Sequence, residues 1–197
     1  MSRQLIVDCM TFEVAPDQIN ESLEENGGKL VVKGVLQRAE SKNQNGRIYP
    51  RPVLEREATK YTENFITERR ALGELDHPDS SVVNLNNASH NVVEMHWNEN
   101  DLVGTVEVLG TPSGNILKEL FKAGIKLGIS SRGLGSVKEL KEDDTLQVQP
   151  DFELIAFDFV SNPSTHGAFL HPVNESVQVG NNPNYKIEQI INDIMRG

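Results

Sequence analysis

The sequence predicts an α+β fold, an antiparallel β-barrel-like core surrounded by a few helices. Three observations carry that reading. Short β-branched runs recur along the chain, such as KLVVKGVL at 29–36 and DLVGTVEVL at 101–109, and these are strand signals. Helical starts are few: Pro52 and Thr111-Pro112 each precede an amphipathic stretch. Finally, 197 residues with 37% hydrophobic and 24% charged side chains suffice for one buried core of ordinary size.

The elements follow in order. Residues 1–28 hold six acids against one base, Arg3, and end in Asn26-Gly27-Gly28, so they read as an acidic leader or arm outside the core. A strand begins at Lys29, the polar loop 41–47 follows, and a helix covers roughly 52–69. After Gly73 the turn-rich stretch Asp76-His77-Pro78-Asp79-Ser80-Ser81 leads into two strands, 92–97 and 101–109, joined at Asn98-Glu99-Asn100. Ile116, Leu117, Leu120 and Phe121 share one face of a helix that stops at Gly124. Residues 127–137 read as short strand pieces bent at glycines, and 138–144 as a solvated loop. Residues 146–160 supply two strands parted by Pro150-Asp151. Behind a polar linker, Ile187, Ile190, Ile191 and Ile194 mark a small amphipathic helix. The divisions are thus a leader at 1–28, a main domain at 29–173, and a linker with a short helix at 174–197.

Composition excludes several functions. Lys and Arg number 19 against 29 Asp and Glu, a formal charge of −10, which argues against binding nucleic acid through its phosphates. Apolar runs are too short to cross a membrane, and the N-terminus lacks a signal-peptide core. The single Cys9 excludes an intramolecular disulfide and a cysteine-rich zinc site. His90, His96, His166 and His171 lack metal-ligand spacing. A soluble, intracellular protein is expected.

Two segments can hold chemistry. In Gly73-Glu74-Leu75-Asp76-His77-Pro78 the proline confines His77 to extended backbone and presents it at a strand end or loop. In GISSRGLG, 128–135, small hydroxyl residues flanked by glycines let a substrate backbone come close. Taken alone, a turn histidine and a glycine-rich bend are the simpler explanation of both. A third segment sharpens the pattern: Asp158 lies inside the apolar strand 152–160. A carboxylate there needs a partner, either an arginine such as Arg132 or an imidazole to be oriented.

GELDHP (73–78), GISSRGLGS (128–136) and FELIAFDFVSNPS (152–164), with Asn45-Gly46-Arg47-Ile48-Tyr49-Pro50 before the first long helix, resemble the prohead core proteases of T-even-type tailed phages. The four motifs occur in that family's order over about residues 30 to 170. The resemblance implies a serine endopeptidase related to the herpesvirus assemblins, with their barrel-like fold. It implies a place inside the immature capsid, in the host cytoplasm, with scaffold and major capsid proteins as substrates and no metal or organic cofactor.

By motif, His77 is the general base and Ser130 the nucleophile, with Ser131 as the alternative register. Asp158 is the candidate acid. Glu153 is its rival, five residues earlier and so on the opposite side of an ideal strand. Arg132 and Gly133 are candidates for oxyanion stabilisation, and a structural ion pair is the competing reading of Arg132. The family's cleavage preference, after glutamate with an aliphatic residue two positions before, marks Glu25 and Glu142 as self-cleavage candidates. A silent capsid-assembly protein of the same fold is the alternative function. A G-x-S-x-G esterase is set aside, because here the histidine precedes the serine.

Overall fold

β-branched and aromatic runs build ten strands, which the computed structural model describes over residues 3–140 and 145–161. Strands β1 (Gln4–Phe12), β7 (Leu127–Gly135) and β10 (Glu153–Val160) form one antiparallel sheet with β7 in the middle. A second antiparallel sheet holds β2 (Val31–Arg38), β6 (Asp101–Val108), β5 (Ala88–Asn98) and β4 (Leu72–Glu74), in that spatial order. The third joins β3 (Arg47–Ile48) in parallel to β9 (Thr145–Val148), with β8 (Val137–Leu140) antiparallel on the other side. The fold is mixed and strand-rich. Among the described residues the first and second sheets are joined through a bridge between Leu75 and Phe159, and the sheets do not close into the expected barrel.

Among the described residues three α-helices accompany them: α1 (Pro16–Glu25), α2 (Arg51–Tyr61) and α3 (Pro112–Lys122). Each carries proline in its first turn, where the missing N–H costs nothing. A π-helical turn, Thr62–Ile66, prolongs α2. The Thr111 hydroxyl caps α3 by accepting the Gly114 N–H at 3.1 Å. Leu117 and Phe121 of α3 are buried as expected, whereas Ile116 is 54% exposed, so the apolar face is narrower than the sequence suggests.

The largest correction concerns the N-terminus. Residues 4–12 are no detached arm but strand β1, paired with β7 from Gln4↔Gly135 to Phe12↔Leu127. Ile6 and Phe12 are buried in the main core, and Phe12 packs edge-on against Phe159 with ring centroids 5.1 Å apart. The apparent defect in this strand, Asp8, is fully paired. Arg47 Nη1 donates to Asp8 Oδ1 at 2.6 Å, the Tyr49 hydroxyl to Oδ2 at 2.5 Å, and Asn45 Nδ2 to Oδ1 at 2.7 Å. The Asn45–Tyr49 stretch is therefore a cradle for Asp8.

Two smaller corrections follow. Residues 127–135 are one continuous strand rather than bent pieces, and 137–140 form β8 rather than a solvated loop. The amphipathic helix expected at 187–194 lies outside the described residues.

Candidate active site

β7 is the structural centre of the site, because it is hydrogen-bonded on both sides. Direct cross-strand partners share a face of the sheet, and Ser130 pairs with Cys9 on β1 and with Asp158 on β10. Cys9, Ser130 and Asp158 thus line up across one face, with Arg132 two residues along on the same side. Ser131 faces the opposite way. It accepts a 2.7 Å hydrogen bond from Gln37 Nε2 and donates to the Asp8 carbonyl at 3.4 Å, so it belongs to the Asp8 cluster.

Ser130 is fully buried, and its Oγ has no hydrogen-bond partner among the described residues. Burial pushes the Cys9 thiol up, and the neighbouring Ser130 hydroxyl draws it partly back. The two serines therefore differ: Ser131 is built into a polar network, whereas Ser130 has only the Cys9 thiol beside it.

On the Ser130 face lies a second buried ion cluster. Arg132 Nε donates to Asp158 Oδ2 at 2.8 Å, and Nη2 donates to Asp158 Oδ1 at 3.2 Å and to Glu74 Oε1 at 3.0 Å. Nη1 donates to the Ser80 carbonyl at 2.6 Å, and the Glu74 N–H to Asp158 Oδ1 at 3.0 Å. Arg132, Asp158 and Glu74 are all fully buried. Burial raises the Asp158 carboxyl above its usual range, and the Arg132 charge offsets part of that rise. Three of about four acceptor positions on this carboxylate are filled, leaving one on Oδ2.

The loop bearing His77 is joined to the same edge. Leu75 forms a parallel bridge with Phe159, and the Asp76 N–H donates to the Phe159 carbonyl at 2.7 Å. Asp76 has φ 66°, a left-handed conformation that aspartate tolerates, and its Oδ1 accepts the His77 N–H at 3.0 Å. Chain direction therefore changes just before His77-Pro78, and Ser80 then reaches Arg132. Gly73, at the root of the motif, is required by close approach. A Cβ there would collide with the Phe157 carbonyl and the His90 ring.

The structure thus brings Ser130, Asp158 and Arg132 together and carries the His77 loop to their side. The Ser130 hydroxyl is not hydrogen-bonded to His77 in this state. Catalytic hydrogen bonds often tighten only when substrate is bound.

Other expectations change. Every nitrogen of the Arg132 guanidinium is engaged, so the structural ion pair is the reading that geometry favours over an oxyanion donor. Gly133 sits in the middle strand, and a Cβ there would strike Phe152. Packing accounts for this glycine without substrate approach. The register shift between Leu154 and Ala156 undoes the parity argument for Glu153, which pairs with Leu134 on the Ser130 face. Yet Glu153 sits four residues along β7 from Ser130, roughly 13 Å at 3.3 Å per residue. Its exposed side chain meets Arg3 at 2.8 Å. Glu25 is the exposed last residue of α1, and Glu142 lies outside the described residues.

Sequence reasoning missed Glu74, although it stands in the same motif as His77. An acid before a buried strand register is invisible without the fold. Elsewhere, Ser89 and His90 form a hydrogen-bonded Ser–His pair. The Ser89 hydroxyl donates to His90 Nδ1 at 2.8 Å, while Nε2–H donates to the Phe157 carbonyl at 2.9 Å. Both residues are fully buried, and burial lowers the imidazole to about 4. This pair is core structure. Among the described residues, no group of three His, Cys, Asp or Glu side chains is placed to hold a metal ion.

Comparison with known proteins defines the class: the chain groups with proteases. Residues 9–178 match the model of the family described as prohead core protein serine protease, and the chain belongs to that family. The match starts within the stretch read as leader and ends beyond residue 173. A relative named prohead core protein protease, from Enterobacteria phage T4, is 33% identical over 160 residues, covering 76% of this chain and 75% of its own. The solved structure of the bacteriophage T4 capsid assembly protease superposes with a TM-score of 0.72 at 26% identity. It covers 83% of this chain and 100% of the T4 chain.

Proposed function

We propose that this chain is a serine endopeptidase of the phage prohead that cleaves scaffold and capsid proteins, after glutamate, and processes itself. It acts inside the prohead in the host cytoplasm. Family membership supports the protease class, and one observation supports the residue assignment above others. Ser130 is the uncommitted hydroxyl on β7, directly across the ladder from Asp158, on the face that the His77 loop approaches.

In this mechanism His77 takes the Ser130 proton as Oγ attacks the scissile carbonyl, a step in which a positioned base contributes about 10²–10⁴ in rate. The imidazolium then returns that proton to the leaving amine, and water releases the acyl group. Asp158 stabilises the imidazolium through the acceptor position still open on Oδ2. The complete burial of Ser130 means that a substrate carbonyl reaches it only after this face opens, which fits a precursor that stays silent until assembly.

The test is reaction of the full chain with a serine-directed phosphonate, followed by peptide mass mapping. Labelling at Ser130 that Ser130→Ala abolishes is the expected result. Labelling at Ser131, or none in protein that cleaves peptides, overturns the assignment.

A further inference from the structure

We propose that Glu74 is a positioning residue of this site: with Arg132 it fixes the loop 75–84, and so His77, against the face that carries Ser130. The inference rests on the reading of His77 as base and Ser130 as nucleophile.

Three grips on that loop converge on Glu74 and Arg132. At its start, the Glu74 N–H is held by Asp158 Oδ1 at 3.0 Å. In its middle, the Ser80 carbonyl accepts Arg132 Nη1–H at 2.6 Å. At its end, Glu74 Oε1 accepts the Asn84 N–H at 3.0 Å, closing the ten-residue interval from 74 to 84. The same Oε1 accepts Arg132 Nη2–H at 3.0 Å, so one oxygen ties the loop end to the strand bearing Ser130.

The chemistry of this arrangement is expensive for a merely structural clasp. One guanidinium and two carboxylates are enclosed with no exposure, and Glu74 Oε2 is buried without a hydrogen-bond partner among the described residues. Apolar packing of similar volume often does as well for stability. What apolar packing does not supply is directional bonding at the start, middle and end of a loop that has no regular structure between Leu75 and Asn84. A base displaced by about 1 Å loses on the order of 10² in rate, so the position of this loop governs transfer of the Ser130 proton.

The experiment compares the full-length wild type with Glu74→Ala and Glu74→Gln, reading the phosphonate labelling rate at Ser130 across pH. Folding is checked by circular dichroism and thermal melting. Alanine removes the acceptor, and labelling of folded protein falls at least about 30-fold with a displaced pH midpoint. Glutamine keeps one acceptor oxygen for Asn84 and Arg132 and restores the rate to within about threefold of wild type. Should Glu74→Ala fail to fold, Asn84→Pro removes the loop-end N–H and the Asn84 turn cap at an exposed position, with a small added constraint on Val83. It is expected to slow labelling about tenfold in folded protein. Wild-type labelling rates in folded Glu74→Ala or Asn84→Pro overturn the proposal, as does a glutamine variant as slow as the alanine one. Absence of labelling at Ser130 in cleaving wild-type protein instead removes the serine reading on which the proposal stands.

Discussion

Asp8 and Asp158 stand in apolar strands where a lone carboxylate is costly to bury, and each has its own buried arginine, Arg47 and Arg132. They face opposite sides of one sheet and have different fates. The Asp8 cluster takes in Ser131, whereas the Asp158 cluster leaves Ser130 uncommitted. Ser131→Ala is therefore expected to destabilise the fold by about 1–3 kcal/mol through the lost Gln37 partner while keeping phosphonate labelling at Ser130. Denaturant unfolding and mass mapping read the two effects separately, and loss of labelling in folded Ser131→Ala would shift the register by one. Asp158→Asn strips charge from the partner of a buried guanidinium, a change of about 3–5 kcal/mol where such pairs are broken outright. Its activity must accordingly be expressed per folded molecule, and a drop of several orders is expected on that basis through loss of the oriented imidazole. Glu153→Gln, at the surface beside Arg3, is expected to retain both activity and stability. A folded Glu153→Gln that is inactive would return the acid role to that residue.

Strand identity was legible where alternation was clean, as in 92–97 and 101–109, and so were the helix starts at Pro52 and Pro112, whereas the start of α1 at Pro16 lay inside the stretch read as a leader. β1 was not legible because Asp8 interrupts its apolar run, and only the distant Arg47 and Tyr49 explain that interruption. Ser130 and Asp158 could be named from motif order, but their opposition across a ladder, the bulge before Ala156 and the clasp through Glu74 depend on register. No local pattern in the chain encodes that register. The β4–β5–β10 junction also carries a testable pH dependence. His90 is buried neutral at about 4, below the ordinary 6.5 of a free imidazole. A depressed folded value means that its stabilising share is fully present above pH 6.5 and is lost as pH falls through about 4. Over that window the loss amounts to roughly 3 kcal/mol at 1.36 kcal/mol per unit. Urea unfolding at stepped pH should show this fall in wild type and a flatter acid limb in His90→Gln. Equal slopes in the two proteins would assign the acid sensitivity to other groups.

For the whole molecule the N-terminal segment has a double character. As a family member the chain is proposed to cut itself after Glu25, yet residues 4–12 form the edge strand beside β7, which carries the proposed nucleophile. The bond after Glu25 follows the last turn of α1, where Asn26 N–H donates to the Ser22 carbonyl at 3.0 Å and Gly28 N–H to the Leu23 carbonyl at 2.8 Å. Ser22 Oγ also donates to the Val31 carbonyl and accepts the Val31 N–H, both at 2.8 Å. A protease acts on extended chain, so this turn must fray before it is cut, and Ser22→Ala is expected to speed cleavage after Glu25. Cutting there does not free the segment. Nine antiparallel register pairs, buried Ile6 and Phe12, and the Asp8–Arg47 ion pair all stay in place. Burial of these two apolar side chains alone is worth about 1.5–3 kcal/mol each. The expected product is a nicked complex in which fragment 1–25, of net charge 1 − 6 = −5 from Arg3 against six acids, co-elutes with 26–197 on native size exclusion and separates only in denaturant. Activation would then come from relaxation of the sheet edge rather than from loss of a leader. Mass spectrometry of the native peak decides between them, and an active enzyme lacking the fragment would show that β1 is dispensable once the chain is cut.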